Sequence, residues 1–288
     1  MNQIKNIGIV GLGLLGGSFA LALRKQTGAK ILGSDKNSAH LFKALKMGLI
    51  DQKMEETDWI NLDLVIIAIP VDIIPKVTAE ILDKVSKNCL VFDAGSIKAP
   101  ICKALDTHPK RDQFLAVHPI AGTEFSGPEA ALHNLFEGKK CIICDTENTR
   151  IDLLEKGIEI LQALNMQADS MDSISHDKHI AYVSHLSHIS SFMLGKTVLE
   201  IEQSEKNIFN MAGSGFASTV RLAKSSAETW TPIFLENKAP ILKALKEYIK
   251  NLESFASCME TDDEKSIFQT MKETNYIGKI LDRNGNNS

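Results

Sequence analysis

The stretch IGIVGLGLLGGSFALAL, residues 7–23, constrains the fold of this chain more than any other. A short apolar run rich in isoleucine and valine leads into Gly11-x-Gly13-x-x-Gly16, and a helical apolar pattern follows. In such a unit the first glycine permits a tight turn, the second lets the backbone approach a pyrophosphate, and the third lets helix and strand pack closely. The motif therefore predicts a strand, a turn and a helix that bind a dinucleotide through the helix N-terminus.

Asp35 indicates which dinucleotide is bound. It stands at the end of the next predicted strand, where a carboxylate accepts hydrogen bonds from the adenosine ribose and repels a 2′-phosphate. This favours NAD over NADP, although the neighbouring Lys36 would soften the preference. The alternative is a glycine turn in an α/β domain that binds no dinucleotide. The predicted cofactor contacts are Gly11, Gly13, Leu14, Leu15, Gly16, Asp35, Pro70 and Ser96.

The order of predicted elements gives the fold class. Six short, almost continuously apolar runs predict strands that helices cover on both faces. They are Ile7–Val10, Lys30–Gly33, Leu64–Ile69, Leu90–Asp93, Phe114–Val117 and Cys141–Cys144. Their alternation with helical stretches predicts an α/β, Rossmann-like doubly wound parallel sheet. From Ser173 onward only helical patterns remain. We therefore expect an NAD-binding domain at residues 1–168 and an all-α domain at residues 169–288, whose polar ending DRNGNNS is frayed.

Composition and charge exclude several classes of function. A formal charge of -4 gives no strong field for nucleic acid or an anionic membrane, so neither is expected as a partner. The beginning of the chain lacks the pattern of a signal peptide. The five cysteines are odd in number and scattered, as expected in a reducing cytoplasm. Cys141 and Cys144 form a C-x-x-C, but in a strand they point to opposite faces, which predicts two buried thiols and no metal site.

Three successive predicted strands end in small or polar residues. The first ends at Pro70, and the next is followed by DAGSIK, which contains Asp93, Ser96 and Lys98. Ligands of open α/β sheets bind in the crevice at the carboxyl ends of the strands, so these residues are expected to face it. Taken singly, Ser96 could be a helix cap and Lys98 a solvated lysine.

His118 comes at the end of the third strand, in LAVHPIAGTEFSG, residues 115–127. A strand that stops there would expose a histidine near the nicotinamide. A neutral imidazole in that position can take a proton from a substrate hydroxyl while a hydride leaves the same carbon. The small residues after it leave room for a substrate.

Together with the glycine motif, the segments HPIAGTEFSG, DAGSIK, SHLSH and VRLAKSSAETWTPIFLENK resemble the prephenate/arogenate dehydrogenase family of tyrosine biosynthesis, over nearly the whole chain. The resemblance implies NAD-dependent oxidation of prephenate: hydride leaves the ring carbon that bears the hydroxyl, the ring carboxylate departs as carbon dioxide, and 4-hydroxyphenylpyruvate forms. Relatives form homodimers through the helical domain, and the same is expected here. No chorismate mutase or regulatory domain is recognised, so the monofunctional form is expected.

The resemblance also implies the roles of single residues. His118 would be the base on the ring hydroxyl and Ser96 would orient it and the nicotinamide; both are assigned as catalytic. Arg221 would bind the ring carboxylate of the substrate. The helix face that carries His185 and His188 would contact the pyruvyl side chain of the substrate and the nicotinamide. The full set implied for substrate binding is Arg221, His188, Thr123, Glu124, Ser184 and His185, and His176 and Trp230 match further positions near the site.

The chain departs from the family pattern around Arg221. Ser214 interrupts a run of glycines, and Ser218 stands where some relatives carry an acid that gates the site from the neighbouring subunit. The same fold would serve arogenate dehydrogenase, although His188 in place of a bulkier cation favours the keto acid. A rival among the oxidoreductases is a 3-hydroxyacid dehydrogenase or an imine reductase. Those enzymes usually rely on a lysine of the helical domain, whereas here the histidine motif lies in the first domain. An NAD-sensing protein without catalysis is the alternative from another class.

Overall fold

The structure, a computed structural model, describes residues 4–283. The strands are β1 (Asn6–Val10), β2 (Lys30–Ser34), β3 (Gln52–Lys53), β4 (Leu64–Ile67), β5 (Leu90–Asp93), β6 (Phe114–Pro119), β7 (Lys140–Cys144) and β8 (Gln167–Met171). The helices are α1 (Leu14–Thr27), α2 (Ser38–Lys46), α3 (Ile74–Lys84), α4 (Ala99–Leu105), α5 (Ile151–Ala163), α6 (Ser173–Ile180), α7 (Leu186–Glu202), α8 (Ser214–Thr219), α9 (Ala227–Glu236), α10 (Lys238–Glu260), α11 (Glu264–Thr274) and α12 (Tyr276–Arg283). Most of the ending expected to be frayed, residues 284–288, lies outside the described residues.

The strands form a single eight-stranded sheet in the order β3-β2-β1-β4-β5-β6-β7-β8. All neighbours are parallel except β6 and β7, which are antiparallel. The predicted α/β fold with a mostly parallel sheet and a helical region after it is therefore confirmed. The strand order reverses between β1 and β4, and this switch point is where open α/β sheets bind ligands at the carboxyl ends of their strands.

Two strands of the sheet are not predicted by the sequence pattern, and both lie at an edge. β3 has only two residues, and β8 has the sequence QADSM with four of its five residues exposed. The prediction depends on apolar runs, which arise where both faces of a strand are covered. Edge strands are short and polar because one side meets water, so such runs are missing from them.

Two predicted strand ends are wrong in ways that affect the site. β4 ends at Ile67, so that Pro70 is an exposed residue of the following loop and does not terminate the strand. β6 continues through His118 to Pro119, and His118 pairs with Ile142 of β7. His118 is therefore held inside a hydrogen-bonded strand pair, since the antiparallel neighbour extends the pairing beyond the position where the apolar run stops.

The core consists of two buried clusters on the two faces of the sheet. Consecutive residues of one strand belong to different clusters: Leu64 to the first, Val65 to the second. Cys141 and Cys144 divide in the same way, and both are buried and free, which confirms the predicted pair of buried thiols.

The chain forms two compact units, one up to Pro240 and one from Ile241. The first unit thus contains the whole sheet and the helices from α6 to α9 as well. The second unit is helical, and within it the side chain of Asp263 caps α11 by accepting the N–H of Ser266 at 3.1 Å. Among the helices of the described residues, none is long and apolar enough to cross a membrane.

Candidate active site

The glycine turn has the geometry that a dinucleotide requires. Gly11 has φ +90°, and its N–H donates to the carbonyl of Ser34 at 2.8 Å. A Cβ on Gly11 would lie 2.2 Å from the oxygen of Ala68, and a Cβ on Gly16 would lie 1.8 Å from the oxygen of Gly11. Around Gly13 nothing lies within 4 Å of such a Cβ. Gly11 and Gly16 are therefore needed for packing, and Gly13 leaves open the space through which a pyrophosphate would approach.

Asp35 follows β2 directly and holds the turn in place. One carboxylate oxygen accepts the N–H of Leu12 at 2.7 Å, and the other accepts the N–H of Asn37 at 2.7 Å. The next residues, Leu14 and Leu15, form the first turn of α1, where backbone N–H groups have no partner within the helix. A fixed carboxylate beside a cluster of free N–H groups fits the ribose and the pyrophosphate of a dinucleotide.

A buried ion pair lies below the crevice. The Lys98 ammonium and the Asp93 carboxylate are both 0% exposed and bonded to each other. Lys98 Nζ also donates to the carbonyl of Val117 at 2.9 Å, and Asp93 accepts the N–H of Gly95 at 2.9 Å. The expectation that Asp93 and Lys98 face the crevice is therefore wrong, and so is the alternative of a solvated Lys98. They join the end of β5 to β6, the strand that carries His118.

Ser96 lies between these two residues and has a different environment. Its hydroxyl oxygen is buried and has no hydrogen-bond partner among the described residues. The implied contact from Ser96 to His118 is not formed in this structure, in which Nδ1 of His118 contacts His176. A buried hydroxyl without a partner is costly, so Ser96 is a candidate for a hydrogen bond to a bound ligand.

His118 is 8% exposed, and its Nδ1 lies 2.8 Å from Nε2 of His176. The two rings meet edge to face with centroids 5.0 Å apart. No hydrogen bond from the described residues reaches Nε2 of His118. Burial, aided by the nearby His176, Lys98 and His185, lowers the pKa of His118 well below 6.5, so the imidazole is neutral at physiological pH.

His176 is bonded in turn to Asp177, a side chain that the sequence analysis does not single out. Nδ1 of His176 lies 2.7 Å from Oδ1 of Asp177. The same carboxylate accepts the N–H groups of Lys98 and Ala99, both at 2.8 Å, where α4 begins. Only the adjacency of the two residues in SISHDKH could have pointed to the pair, since their partners lie between 58 and 79 residues earlier in the chain.

The loop after β6 approaches Arg221. Nη1 of Arg221, in the 3₁₀ turn Arg221–Lys224, lies 3.8 Å from Oε2 of Glu124, and the two side chains are 55% and 28% exposed. Thr123 is exposed, and its hydroxyl accepts the N–H of Phe125 at 3.2 Å. The structure therefore brings Glu124 and Arg221 together, with the guanidinium mostly free for a ligand.

His188 stacks on Trp230, with ring centroids 3.4 Å apart and an interplanar angle of 23°. Its Nδ1 donates to the carbonyl of Ser184 at 2.9 Å, which orients the ring. Burial lowers the pKa of His188, and the bond to Ser184 opposes this shift. His188 is half-buried, so its Nε2 edge is the part that remains available to a ligand.

His185 belongs to a π-helical turn, Ala181–His185, between α6 and α7. Its ring also contacts Trp230, edge to face at 5.9 Å, so the predicted shared face of His185 and His188 is confirmed. However, His185 is 0% exposed, its Nδ1 lies 3.2 Å from Nδ2 of Asn237, and burial lowers its pKa to about 4. Like the Ser96 hydroxyl, Nε2 of His185 is buried and has no hydrogen-bond partner among the described residues, so the implied contact of His185 with a ligand stays a prediction.

Two family models match the chain. The model described as the nucleotide-binding domain of prephenate dehydrogenase matches residues 19–168, and the one described as the dimerization domain of prephenate dehydrogenase matches residues 172–273. A prephenate dehydrogenase of Bacillus subtilis is 32% identical over 94% of this chain and 75% of its own length.

Solved structures of the same family have the same fold as this chain. Prephenate dehydrogenase from Aquifex aeolicus, in complex with hydroxyphenyl propionate and NAD+, has a TM-score of 0.89 at 31% identity and covers 97% of this chain and 99% of its own. An arogenate dehydrogenase from Synechocystis has a TM-score of 0.77 at 24% identity, covering 96% of this chain and 99% of its own, and this likeness concerns the fold alone. The chain belongs to the prephenate dehydrogenase family.

We predict that Lys98→Met lowers the free energy of unfolding by about 3–5 kcal/mol, because it leaves the Asp93 carboxylate buried without its cation. The matched control is Lys84→Met, since Lys84 pairs with Glu56 at 2.9 Å on the surface and such pairs contribute at most about 1 kcal/mol. Urea unfolding followed by circular dichroism measures both. Adding Asp93→Asn to Lys98→Met should recover part of the loss; equal midpoints for the two single lysine variants would contradict the assignment.

Proposed function

We propose that this member of the prephenate dehydrogenase family catalyses the NAD-dependent oxidative decarboxylation of prephenate to 4-hydroxyphenylpyruvate. The observation that carries the proposal is His118: a neutral imidazole at the carboxyl edge of the sheet, held through Nδ1 and with Nε2 available. The sequence relative at 32% identity and the structural neighbour at 31% identity are themselves named prephenate dehydrogenase.

The chemistry at His118 follows from this geometry. Nε2 accepts the proton of the ring hydroxyl as the carbon that bears it becomes a carbonyl and then, after loss of the ring carboxylate as carbon dioxide, part of a phenol. Bound NAD supplies the acceptor for the hydride that leaves that carbon. We assign the second catalytic contact to Ser96, whose buried hydroxyl lacks a partner among the described residues and would bond to the substrate or the nicotinamide.

The other assigned residues bind and orient. The cofactor is NAD, which Gly11, Gly13, Leu14, Leu15, Gly16 and Asp35 would hold, with Pro70 and Ser96 at the nicotinamide end. A carboxylate fixed by two backbone N–H groups beside the ribose position disfavours a 2′-phosphate. Arg221 would grip the ring carboxylate, because a planar guanidinium can form two parallel hydrogen bonds with it. The remainder of the pocket would be lined by Thr123, Glu124, Ser184, His185 and His188.

Arogenate is the rival substrate, and no observation on the described residues favours it. The arogenate dehydrogenase among the structural neighbours is 24% identical and shares the fold alone. His188 is neutral and stacked on Trp230, which suits a keto side chain better than a zwitterionic amino acid with its own ammonium. The five free cysteines are consistent with the cytoplasm as the place of this reaction.

We also propose a homodimer formed through the helical domain, which we place at residues 169–288. A dimerization-domain model matches residues 172–273. Between residues 173 and 240 the exposed large apolar side chains are Ile174, Tyr182, Val183, Met193, Leu194, Leu199, Ile201, Phe209, Met211 and Leu235. Exposed apolar surface on this scale is typical of an interface.

Light scattering tests the oligomeric state directly. We expect a mass of twice the 31.7 kDa of the chain at micromolar concentration. A mass of one chain at that concentration would contradict the proposed dimer.

His118→Asn tests the proposed reaction. Wild-type protein with NAD should form NADH when prephenate is added, and faster than with arogenate. The variant should bind NAD as tightly as the wild type, by fluorescence titration, and lose at least about a hundredfold in turnover, the usual scale for a general base. His133→Asn, in the same sheet domain but outside the described site, is the matched control. Wild-type protein that reduces NAD with neither substrate would contradict the function, and a fully active variant would contradict the role of His118.

Arg221→Ala should raise the KM for prephenate by about tenfold or more, since it removes a charge-assisted hydrogen bond to the substrate, and should leave the KM for NAD unchanged. Lys224→Ala is the control, because Lys224 is an exposed cation of the same 3₁₀ turn. Initial rates at varied prephenate measure both. An unchanged KM in the Arg221 variant would remove this residue from the pocket.

A further inference from the structure

Asp177 is a buried carboxylate whose two oxygens both accept backbone hydrogen bonds. Oδ1 accepts the N–H of Lys98 and Oδ2 that of Ala99, and the side chain is 4% exposed. Backbone donors aimed at both oxygens stabilise the ionised form. An ionised carboxylate can only accept, so the 2.7 Å contact from Nδ1 of His176 to Oδ1 requires the proton to lie on that nitrogen.

The position of the proton on His176 determines which nitrogen of His118 carries a proton. A neutral imidazole has one N–H donor and one acceptor nitrogen. With Nδ1 of His176 donating to Asp177, Nε2 of His176 is the acceptor, and its neighbour at 2.8 Å is Nδ1 of His118. When His176 is neutral, His118 must therefore carry its proton on Nδ1. Its Nε2 then has a free lone pair, which is the form that a general base needs.

We propose that Asp177 and His176 are positioning residues that fix the reactive tautomer of His118 and receive the charge when His118 takes up a proton. The proposal rests on the proposed function for the identity of the hydroxyl that is deprotonated. The hydroxyl proton moves to Nε2 of His118, and the Nδ1 proton of His118 moves to Nε2 of His176. His118 ends neutral, and the positive charge lies on the His176 imidazolium beside the Asp177 carboxylate.

The surroundings of His118 explain why the positive charge would pass from His118 to His176. Burial disfavours an imidazolium there, and the facing groups from neighbouring elements are cationic or neutral: the Lys98 ammonium and the ring of His185. The nearby Asp93 carboxylate is already paired with Lys98. Among the described residues, the only carboxylate in hydrogen-bonded connection with His118 is Asp177, through His176. A cation on His176 is thus better stabilised than one on His118.

The tautomer of His118 can be measured without turnover. In full-length protein labelled with 15N-histidine, with signals assigned by loss in His118→Asn, the nitrogen chemical shifts at neutral pH should show Nδ1 of His118 and Nδ1 of His176 protonated and both Nε2 atoms bare. Asp177→Leu should abolish this pattern at His176, and His179→Phe, an exposed histidine of the same helix, should not alter it. A wild-type His118 with its proton on Nε2 would overturn the proposal.

Kinetics separate this role from a merely structural one. His176→Phe should lower kcat with prephenate by about 10–100-fold, the loss seen when a residue that orients a metal-bound histidine is removed, with the KM for prephenate and the affinity for NAD unchanged. His176→Gln, whose amide can accept from His118 and donate to Asp177, should recover part of the turnover. Wild-type kcat in a folded His176→Phe variant would overturn the proposal.

The outcomes also separate this proposal from the proposed function. Prephenate oxidation by a protein whose His118 has its proton on Nε2 would contradict the relay and leave the function standing. The expected tautomer in a protein inert toward prephenate would contradict the function and leave the assigned tautomer of His118 standing. If the His176 variants do not fold, by circular dichroism, the nitrogen shifts of the wild type decide alone.

Discussion

The carboxylate of Asp177 is the group on which the site depends. It connects α6 to the start of α4, because it accepts the N–H groups of Lys98 and Ala99 and also bonds to His176. The buried pair of Lys98 and Asp93 extends the same network beneath it, to the backbone of β6. Removal of water from these groups makes each interaction strong and each missing partner costly. The position of His118 is thereby set by several elements at once.

The network explains why this part of the helical region belongs to the same compact unit as the sheet. Asn237 donates to the carbonyl of Asp177 at 2.8 Å and also lies beside His185, so the end of α9 is tied to α6. Trp230, on α9, then stacks on His188. The helices that carry the proposed substrate contacts are therefore packed against the strands that carry the proposed base. The boundary between the two compact units lies at residues 240 and 241, near the start of α10.

Much of the fold can be predicted because it follows from local patterns. The glycine motif and six apolar runs indicate the sheet, since covered strands must be apolar. The polar edge strand β8 escapes prediction for the same reason. In the site, the sequence points to His118 and Arg221 but not to the burial of Lys98 and His185, because burial of a polar side chain depends on partners distant in sequence. Asp177 is not predicted for the same reason: it acts through bonds to Lys98 and Ala99, which no spacing rule connects to it.

A crystal structure of the protein with NAD and 4-hydroxyphenylpyruvate would show whether His118 is a base presented through Nε2. We expect the phenol oxygen to lie within hydrogen-bond distance of Nε2 of His118, while Nδ1 stays bonded to His176. A phenol oxygen bound elsewhere, or a His118 ring turned so that Nδ1 leaves His176 and meets the product, would contradict it.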